Sequence, residues 1–223
     1  MEILDQDYKV HRPKAIIFDW DNTLIDSWDL VHESVNKTLV QYGKKPWSLD
    51  KVKINIHRSM RDTLFKYFPD KWEEVGEFYR ECYSTVMEKV KPLPDAELSL
   101  QLVVDKGIYC TIVSNKKNIF LNKEIKKLKW NKYFQAILGS GDLEQDKPSP
   151  MGVYEVLKNA DINPSEEVWF VGDTVTDMET AYNAKCLPVF FGEEECNSSR
   201  YDRCKPKVIF RNHALLSKYL ESL

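Results

Sequence analysis

The sequence lacks any long hydrophobic segment. No run approaches the roughly 20 consecutive apolar residues that a membrane-spanning helix needs. The first ten residues are acidic in character and contain no apolar core like that of a secretory signal peptide. Because the hydrophobic fraction of 43% is ordinary for a globular protein, we expect a soluble, cytoplasmic protein without a membrane partner.

The sequence also lacks an excess of positive charge. Its 32 lysines and arginines are balanced by 35 aspartates and glutamates, so the formal net charge is −3. Proteins that bind nucleic acid usually present a clearly basic face to the phosphate backbone. We therefore expect no nucleic-acid partner.

Cysteine and histidine are scattered and show no metal-binding pattern. The five cysteines include no Cys-x-x-Cys pair, and the four histidines have no zinc-ligand spacing. Cys110 lies inside an apolar run, where a thiol behaves as a small hydrophobic group. We expect the cysteines to be reduced and structural, as is usual in the cytosol.

The sequence does contain a series of short apolar runs, each bounded by polar or turn residues. From Tyr109 onward, these runs alternate with helix-length segments at residues 118–129, 151–159 and 175–184. Such alternation predicts an α/β fold with a doubly wound parallel sheet that is covered by helices on both faces. The predicted strands are residues 15–18, 109–113, 136–138, 168–171, 189–191 and 208–210.

The alternation is interrupted once, before Tyr109. Residues 30–39 and 72–86 carry apolar side chains at helical spacing, and no convincing buried strand lies near them. We predict an inserted all-α cap domain at residues 26–91. The catalytic core would then consist of residues 1–25 and 92–223.

Charged and polar side chains follow several of the predicted strands. Residues 19–23 follow the first strand, residues 114–116 the second and residues 172–177 the fourth, while Lys147 precedes a predicted helix. In a parallel sheet these segments meet at one edge. Two like charges about 4 Å apart repel by about 4 kcal/mol at an effective dielectric constant of about 20, so clustered carboxylates need a cation. Oxygen ligands without histidine or cysteine favour magnesium.

Four segments together resemble the motifs of a known family. Residues 19–24, 114–116, 147–150 and 172–177 are similar, in order and spacing, to the four motifs of the haloacid dehalogenase-like superfamily. The resemblance extends from about residue 15 to 192 and implies a Rossmann-like core. The predicted cap lies between the first two motifs, as in the phosphoglycolate phosphatase and beta-phosphoglucomutase branch.

The resemblance implies a catalytic role for two aspartates. Asp19 would attack phosphorus and form an aspartyl-phosphate. Asp21 would protonate the leaving alcohol and later activate water. For the first role it must hold a proton near neutral pH, which neighbouring carboxylates would favour. An aspartate at position 21 also separates phosphatases and mutases from the dehalogenases of the superfamily.

The resemblance also implies the groups that bind phosphate. Ser114 and the backbone of Asn115 would hold the phosphoryl oxygens. Thr23 and Lys116 would also bind the substrate or its phosphate, Lys116 at the rim of the site. Lys147 would offset the negative charge of the nucleophile and the phosphate.

Mg²⁺ is the cofactor that the resemblance implies. Its ligands would be the carboxylates of Asp19 and Asp173 and the backbone carbonyl of Asp21. Asp177 would support the ion through water or a hydrogen bond. Three ionised aspartates and a phosphate dianion carry about −5, against about +3 from Mg²⁺ and Lys147, so neither cation is dispensable.

The residue at position 22 differs from the one that is usual in this family. Asn22 stands where a glycine is usual, but asparagine tolerates left-handed backbone comparatively well.

Residues 116–132 contain seven lysines and one acidic residue, Glu124. We expect a solvated helix face there, with Lys116 as the possible exception.

The substrate is the least constrained part of the prediction. Arg58 and Arg61 lie three apart in a basic stretch of the predicted cap, and we expect at least one to bind an anionic group of the substrate. The alternative is a solvated face that pairs with nearby aspartates. Three functions remain open: a phosphatase acting on a small phosphorylated metabolite, a phosphosugar mutase, and a non-catalytic binding protein. The sequence does not indicate an oligomeric state.

Overall fold

The computed structural model describes residues 1–3, 10–56, 60–193 and 199–223, and it describes residues 60–62 by their backbone alone. The described chain divides into two compact units. The first combines Met1–Ile25 with Pro92–Leu223, and the second is Asp26–Lys91. The second unit therefore interrupts the sequence of the first.

The described strands and helices have the following bounds. The strands are β1 (Glu2–Ile3), β2 (Ala15–Phe18), β3 (Ile25–Asp26), β4 (Lys91–Pro92), β5 (Tyr109–Lys117), β6 (Ala136–Ser140), β7 (Val168–Gly172), β8 (Leu187–Phe191) and β9 (Val208–Phe210). The helices are α1 (Trp28–Gln41), α2 (Leu49–Asn55), α3 (Met60–Tyr67), α4 (Trp72–Val86), α5 (Ala96–Asp105), α6 (Asn118–Leu128), α7 (Met151–Lys158), α8 (Val175–Ala184) and α9 (His213–Glu221).

The first unit contains a mostly parallel sheet. Within the described residues, seven strands form it in the order β1-β9-β8-β7-β2-β5-β6. Only the edge pair β1 and β9 is antiparallel among these neighbours. Strand β2 lies inside the sheet between β7 and β5, and all four of its residues are fully buried. Such continuous burial explains its unbroken apolar sequence, because a central parallel strand is covered on both faces.

Helices cover both faces of this sheet. On one face, Ile17 of β2 and Phe170 of β7 pack with Val153 of α7 and Ala181 of α8. The next residue of β7, Trp169, points to the other face and stacks on Tyr219 of α9, with ring centroids 5.4 Å apart. The predicted doubly wound α/β fold is therefore confirmed.

Some element boundaries differ from the prediction. Strand β5 continues through the polar residues up to Lys117, with an irregular register between Val113 and Lys117 against β6. A local bulge lets polar residues extend a strand past the apolar run that marks it in the sequence. The sequence analysis also missed β1, α5 and α9.

The second unit consists mainly of helices α1 to α4. Its core contains Val35 and Leu39 of α1, Trp47, and Val52 of α2. The apolar positions predicted at helical spacing lie on α1 and α4. The short strands β3 and β4 form a separate two-stranded sheet where the chain enters and leaves this unit. Among the described residues, no helix has the length and apolar character required to span a membrane.

Candidate active site

Three carboxylates come together at one edge of the parallel sheet. Asp19 directly follows β2, Asp173 directly follows β7, and Asp177 lies in the first turn of α8. One oxygen from each lies within 4.8 Å of the others. Parallel neighbours such as β2 and β7 end at the same edge, which is why Asp19 and Asp173, 154 positions apart in sequence, meet here.

Lys147 lies between two of these carboxylates. Its Nζ atom is 2.7 Å from Asp19 Oδ1 and 2.6 Å from Asp177 Oδ1, and its side chain is only 4% exposed. Burial alone would lower the pKa of Lys147, but the carboxylates of Asp177 and Asp19 outweigh it and raise the pKa above its usual value. Lys147 is therefore a permanent positive charge beside Asp19.

The Asp177 side chain is held by its surroundings. Its Oδ2 accepts hydrogen bonds from Thr174 N at 2.9 Å and from Thr174 Oγ1 at 2.6 Å. The bond from Thr174 N and a second bond, from Asp177 N to Thr174 Oγ1 at 3.3 Å, form the capping box of α8. Gly172 is required beneath it, because a Cβ atom there would lie 2.4 Å from Asp177 Cγ. Because both oxygens of Asp177 already have partners, this geometry favours a supporting role over direct ligation of a metal.

When ionised, Asp19, Asp173 and Asp177 carry more negative charge than the single positive charge of Lys147 balances. Burial, together with Asp177, raises the pKa of Asp19 to about 6, although Lys147 acts in the opposite direction. Burial and the charges of Asp177 and Asp19 also raise the pKa of Asp173 well above its usual range. Thr23 Oγ1 donates to Asp173 Oδ1 at 3.2 Å. A set of hard oxygen donors with excess negative charge fits a divalent cation such as Mg²⁺.

The second motif is tied to the third through Asn115. The side-chain Oδ1 of Asn115 accepts from Lys147 N at 2.9 Å, and its Nδ2 donates to Lys147 O at 3.1 Å. These bonds fix the backbone from which the Lys147 side chain extends. Ser114 is buried, and its Oγ accepts from Lys116 N at 3.2 Å. From the sequence, a role was predicted only for the Asn115 backbone, and the contact of its side chain with Lys147 was not predicted.

The loop after β2 turns through a left-handed residue. Asn22 has a φ angle of 58°, a conformation that asparagine adopts more readily than most residues. The replacement of glycine by asparagine is thus compatible with the turn, as the sequence analysis expected.

Asp21 forms an ion pair with a lysine, a contact that was not predicted from the sequence. Lys116 Nζ is 2.7 Å from Asp21 Oδ1 and 2.7 Å from Glu124 Oε2. The same Glu124 oxygen accepts from Trp20 Nε1 at 2.7 Å. Glu124 is fully buried, so the expectation of a solvated face is wrong for this residue. Lys116, at the end of β5 just before that helix, is also buried, with 6% of its side chain exposed.

His213 connects the last helix to the same loop and was missed by the sequence analysis. It is almost completely buried, and its Nε2 donates to the carbonyl oxygen of Thr23 at 2.7 Å. Its Nδ1 lies 3.1 Å from Ser99 Oγ, and its ring packs on Phe191. Burial lowers the pKa of His213 from 6.5 to about 4. A neutral histidine therefore supports the backbone next to the carboxylates.

This burial predicts acid destabilisation. Below pH 6.5 the unfolded chain takes up a proton at His213, whereas the folded chain does so only near pH 4, so stability present above pH 6.5 is lost as the pH falls. The shift corresponds to about 2 kcal/mol of unfolding free energy between pH 7 and pH 5. In urea unfolding, His213→Gln should show a correspondingly weaker pH dependence than the wild type, and the exposed-site variant His11→Gln should not. Equal pH dependence in all three proteins would contradict the assignment.

The predicted cap residues cannot be located in the same way. Arg58 lies outside the described residues. Arg61 belongs to α3, but its side chain is outside the described part. Their role in substrate binding stays a prediction.

Comparison with known proteins identifies the family. Residues 16–190 match the sequence model described as haloacid dehalogenase-like hydrolase. A phosphoglycolate phosphatase of Aquifex aeolicus is 33% identical over 189 residues, which cover 83% of this chain and 88% of that protein. A phosphoglycolate phosphatase of Pseudomonas fluorescens is 27% identical, covering 86% of this chain and 75% of that protein.

A solved structure agrees with this relationship. A hydrolase of the same superfamily from Ehrlichia chaffeensis superimposes with a TM-score of 0.65 at 29% identity, covering 96% of this chain and 99% of that one. The match between sequence model and chain includes Asp19, Ser114, Lys147 and Asp173, the residues gathered at the sheet edge. The chain belongs to the haloacid dehalogenase-like hydrolase family.

Proposed function

We propose that this protein is a magnesium-dependent phosphatase that hydrolyses a small phosphate monoester through Asp19. The observation that carries the proposal is the buried contact between Asp19 and Lys147 at the end of β2, with Asp173 beside it. The relatives named phosphoglycolate phosphatase support the same reaction class.

The first half-reaction transfers the phosphoryl group to the protein. A carboxylate oxygen of Asp19 attacks phosphorus, and the bond between phosphorus and the ester oxygen breaks. Asp21, two residues further along the loop, gives its proton to the departing alkoxide, which leaves as an alcohol.

The second half-reaction restores the enzyme. Asp21, now a carboxylate, takes a proton from water, and the water oxygen forms a bond to phosphorus. The bond between Asp19 and phosphorus breaks, inorganic phosphate leaves, and both aspartates return to their starting states. Splitting one displacement in two lets the same pair of aspartates serve both steps.

The surrounding groups hold the phosphate and balance its charge. Ser114 and the backbone of Asn115 are proposed to bind phosphoryl oxygens, while Lys147 keeps a positive charge beside the nucleophile. The carboxylates of Asp19 and Asp173 and the backbone carbonyl of Asp21 would hold Mg²⁺. Bound there, the ion would neutralise charge that otherwise repels a phosphate dianion from the nucleophile.

Residues 26–91 are proposed to act as a cap domain that controls access of water and substrate. The reaction needs water in its second half and benefits from its exclusion in the first. The hinges would be the two chain crossings near residues 26–27 and 90–92. At least one of Arg58 and Arg61 would then contact an anionic group of the substrate.

Release of inorganic phosphate from a panel of phosphate esters tests the proposal. The panel should contain 2-phosphoglycolate, sugar phosphates, nucleotides and p-nitrophenyl phosphate, each with Mg²⁺ and with Asp19→Asn as the negative control. Phosphate release from at least one ester is the expected result. Isomerisation of a sugar phosphate without net release would show a mutase, and no turnover of any ester would favour a non-catalytic protein.

Removal of the metal should abolish turnover. Asp19, Asp173 and Asp177 repel a phosphate dianion, and Lys147 alone offsets only one charge. We expect the rate to fall to background in excess EDTA and to return when Mg²⁺ exceeds the chelator. Full activity in excess EDTA would show that the reaction needs no metal ion.

A further inference from the structure

Glu124 is a fully buried carboxylate on a helix that otherwise carries many lysines. Its Oε2 lies 2.7 Å from Lys116 Nζ and 2.7 Å from Trp20 Nε1. Burying a carboxylate is unfavourable unless it is well paired, and an apolar residue of similar size would usually stabilise the fold as well or better. Stability therefore does not explain why a carboxylate is buried at position 124.

Trp20 and Lys116 belong to the immediate surroundings of the catalytic loop. Trp20 is the residue between Asp19 and Asp21, and it is completely buried. Lys116 reaches Asp21 directly, with Nζ 2.7 Å from Oδ1. Glu124 thus holds the loop at two points without itself contacting Asp21 in any described hydrogen bond or ion pair.

We propose that Glu124 is a positioning residue that holds Lys116 and Trp20 so that Asp21 is oriented for proton transfer to the leaving alcohol. The inference rests on the proposed function, because it needs Asp21 as the acid. Proton transfer depends steeply on the distance and angle between donor and acceptor, so a carboxyl group that can rotate freely is a poorer acid. Because Lys116 Nζ contacts Oδ1 of Asp21, the proton that is transferred to the leaving alcohol would be carried by Oδ2.

Lys116 contacts Asp21, whereas the family resemblance implied that it binds the substrate or its phosphate. Its ammonium group lies between Asp21 and Glu124, with Nζ 2.7 Å from a carboxylate oxygen of each. An ammonium held in this way positions Asp21 and is not available for phosphate. Loss of Glu124 should therefore affect the chemical step and leave substrate binding unchanged.

The dependence on the leaving group tests the proposal. An alkyl phosphate releases a strongly basic alkoxide that needs a proton, whereas p-nitrophenolate is stable enough to depart without one. In the Mg²⁺-loaded enzyme, Glu124→Gln should slow the first turnover of an alkyl phosphate by about tenfold or more, a part of the usual contribution of a general acid. The first turnover of p-nitrophenyl phosphate should change by less than about threefold, and KM by less than about twofold. Rapid-quench measurements give both rates.

Glu97→Gln provides a matched control. Glu97 also accepts a hydrogen bond from an aromatic donor, Tyr133 Oη at 2.7 Å, and lies 3.6 Å from Lys132 Nζ. The substitution makes the same chemical change away from Asp21, so both rates should stay at the wild-type values. Thermal unfolding of both variants separates a loss of activity from a loss of folded protein.

Lys116→Met is the second variant and carries the test if Glu124→Gln does not fold. It should show the same preference for the aryl ester, and adding Glu124→Gln to it should cost less than the product of the two single effects. Equal losses on both esters, no loss on either, or a raised KM with an unchanged first turnover would overturn the proposal. If the wild type hydrolyses no ester at all, the proposed function fails and this inference with it.

Discussion

Asp19→Asn should lower phosphate release by at least about 10⁴-fold, because it removes the attacking oxygen's charge while keeping the shape of the side chain. The amide oxygen can still lie beside Lys147, which contacts Asp19 Oδ1 at 2.7 Å in the wild type. Substrate binding should therefore persist, and the loss should appear in kcat. Steady-state phosphate release with the best ester of the panel measures it.

Stability separates this loss from unfolding. Burial raises the pKa of Asp19 to about 6, so ionising this carboxylate at neutral pH lowers the stability of the folded protein relative to the unfolded chain. The neutral amide should leave the metal-free protein at least as stable as the wild type. Asp105→Asn, at the exposed end of α5, is the matched control and should retain full activity.

A trapping experiment identifies the nucleophile directly. Acid quench of the wild type during turnover of a phosphate-labelled ester should leave an acid-stable, base-labile phosphoryl group on Asp19. A labelled phosphoryl group on any other residue would disprove the assignment.

Lys147→Met should reduce turnover by about 10²-fold or more, because a buried positive charge beside the nucleophile is lost. It should also lower the unfolding free energy of the metal-free protein by about 3–5 kcal/mol, since Asp19 and Asp177 are then left buried without their cation. Rates on the alkyl and aryl esters should fall together, because the charge acts on the phosphoryl group and not on the leaving group.

Kinetics and urea unfolding, each with and without Mg²⁺, measure both effects. Part of the lost stability should return with Mg²⁺, which supplies positive charge to the same carboxylates. Lys158→Met, at an exposed position of α7, should change neither quantity. Wild-type turnover in Lys147→Met would show that the arrangement of charges proposed around Asp19 is wrong.

Much of the core fold could be predicted because a parallel sheet leaves a simple signal. Its central strands are buried on both faces, so residues 15–18 and 168–171 stand out as unbroken apolar runs. Helix α8 was predicted with its observed bounds, since a capping threonine and an aspartate in its first turn mark its start. Strand β1 and the full length of β5 were not predicted. The pairing of an edge strand and the position of a bulge depend on the neighbouring strand and not on the local sequence pattern.

The sequence by itself determined the chemical groups of the site and the edge of the sheet at which they lie. Asp19 and Asp173 directly follow buried strands, and strand order alone brings such positions together. Only the tertiary structure decided how these groups are held. Glu124, Asn115 and His213 act through partners 104, 32 and 190 residues away, and no periodicity connects positions at such distances. A buried polar side chain needs a hydrogen-bond partner, and a partner that is distant in sequence becomes a neighbour only when the chain has folded.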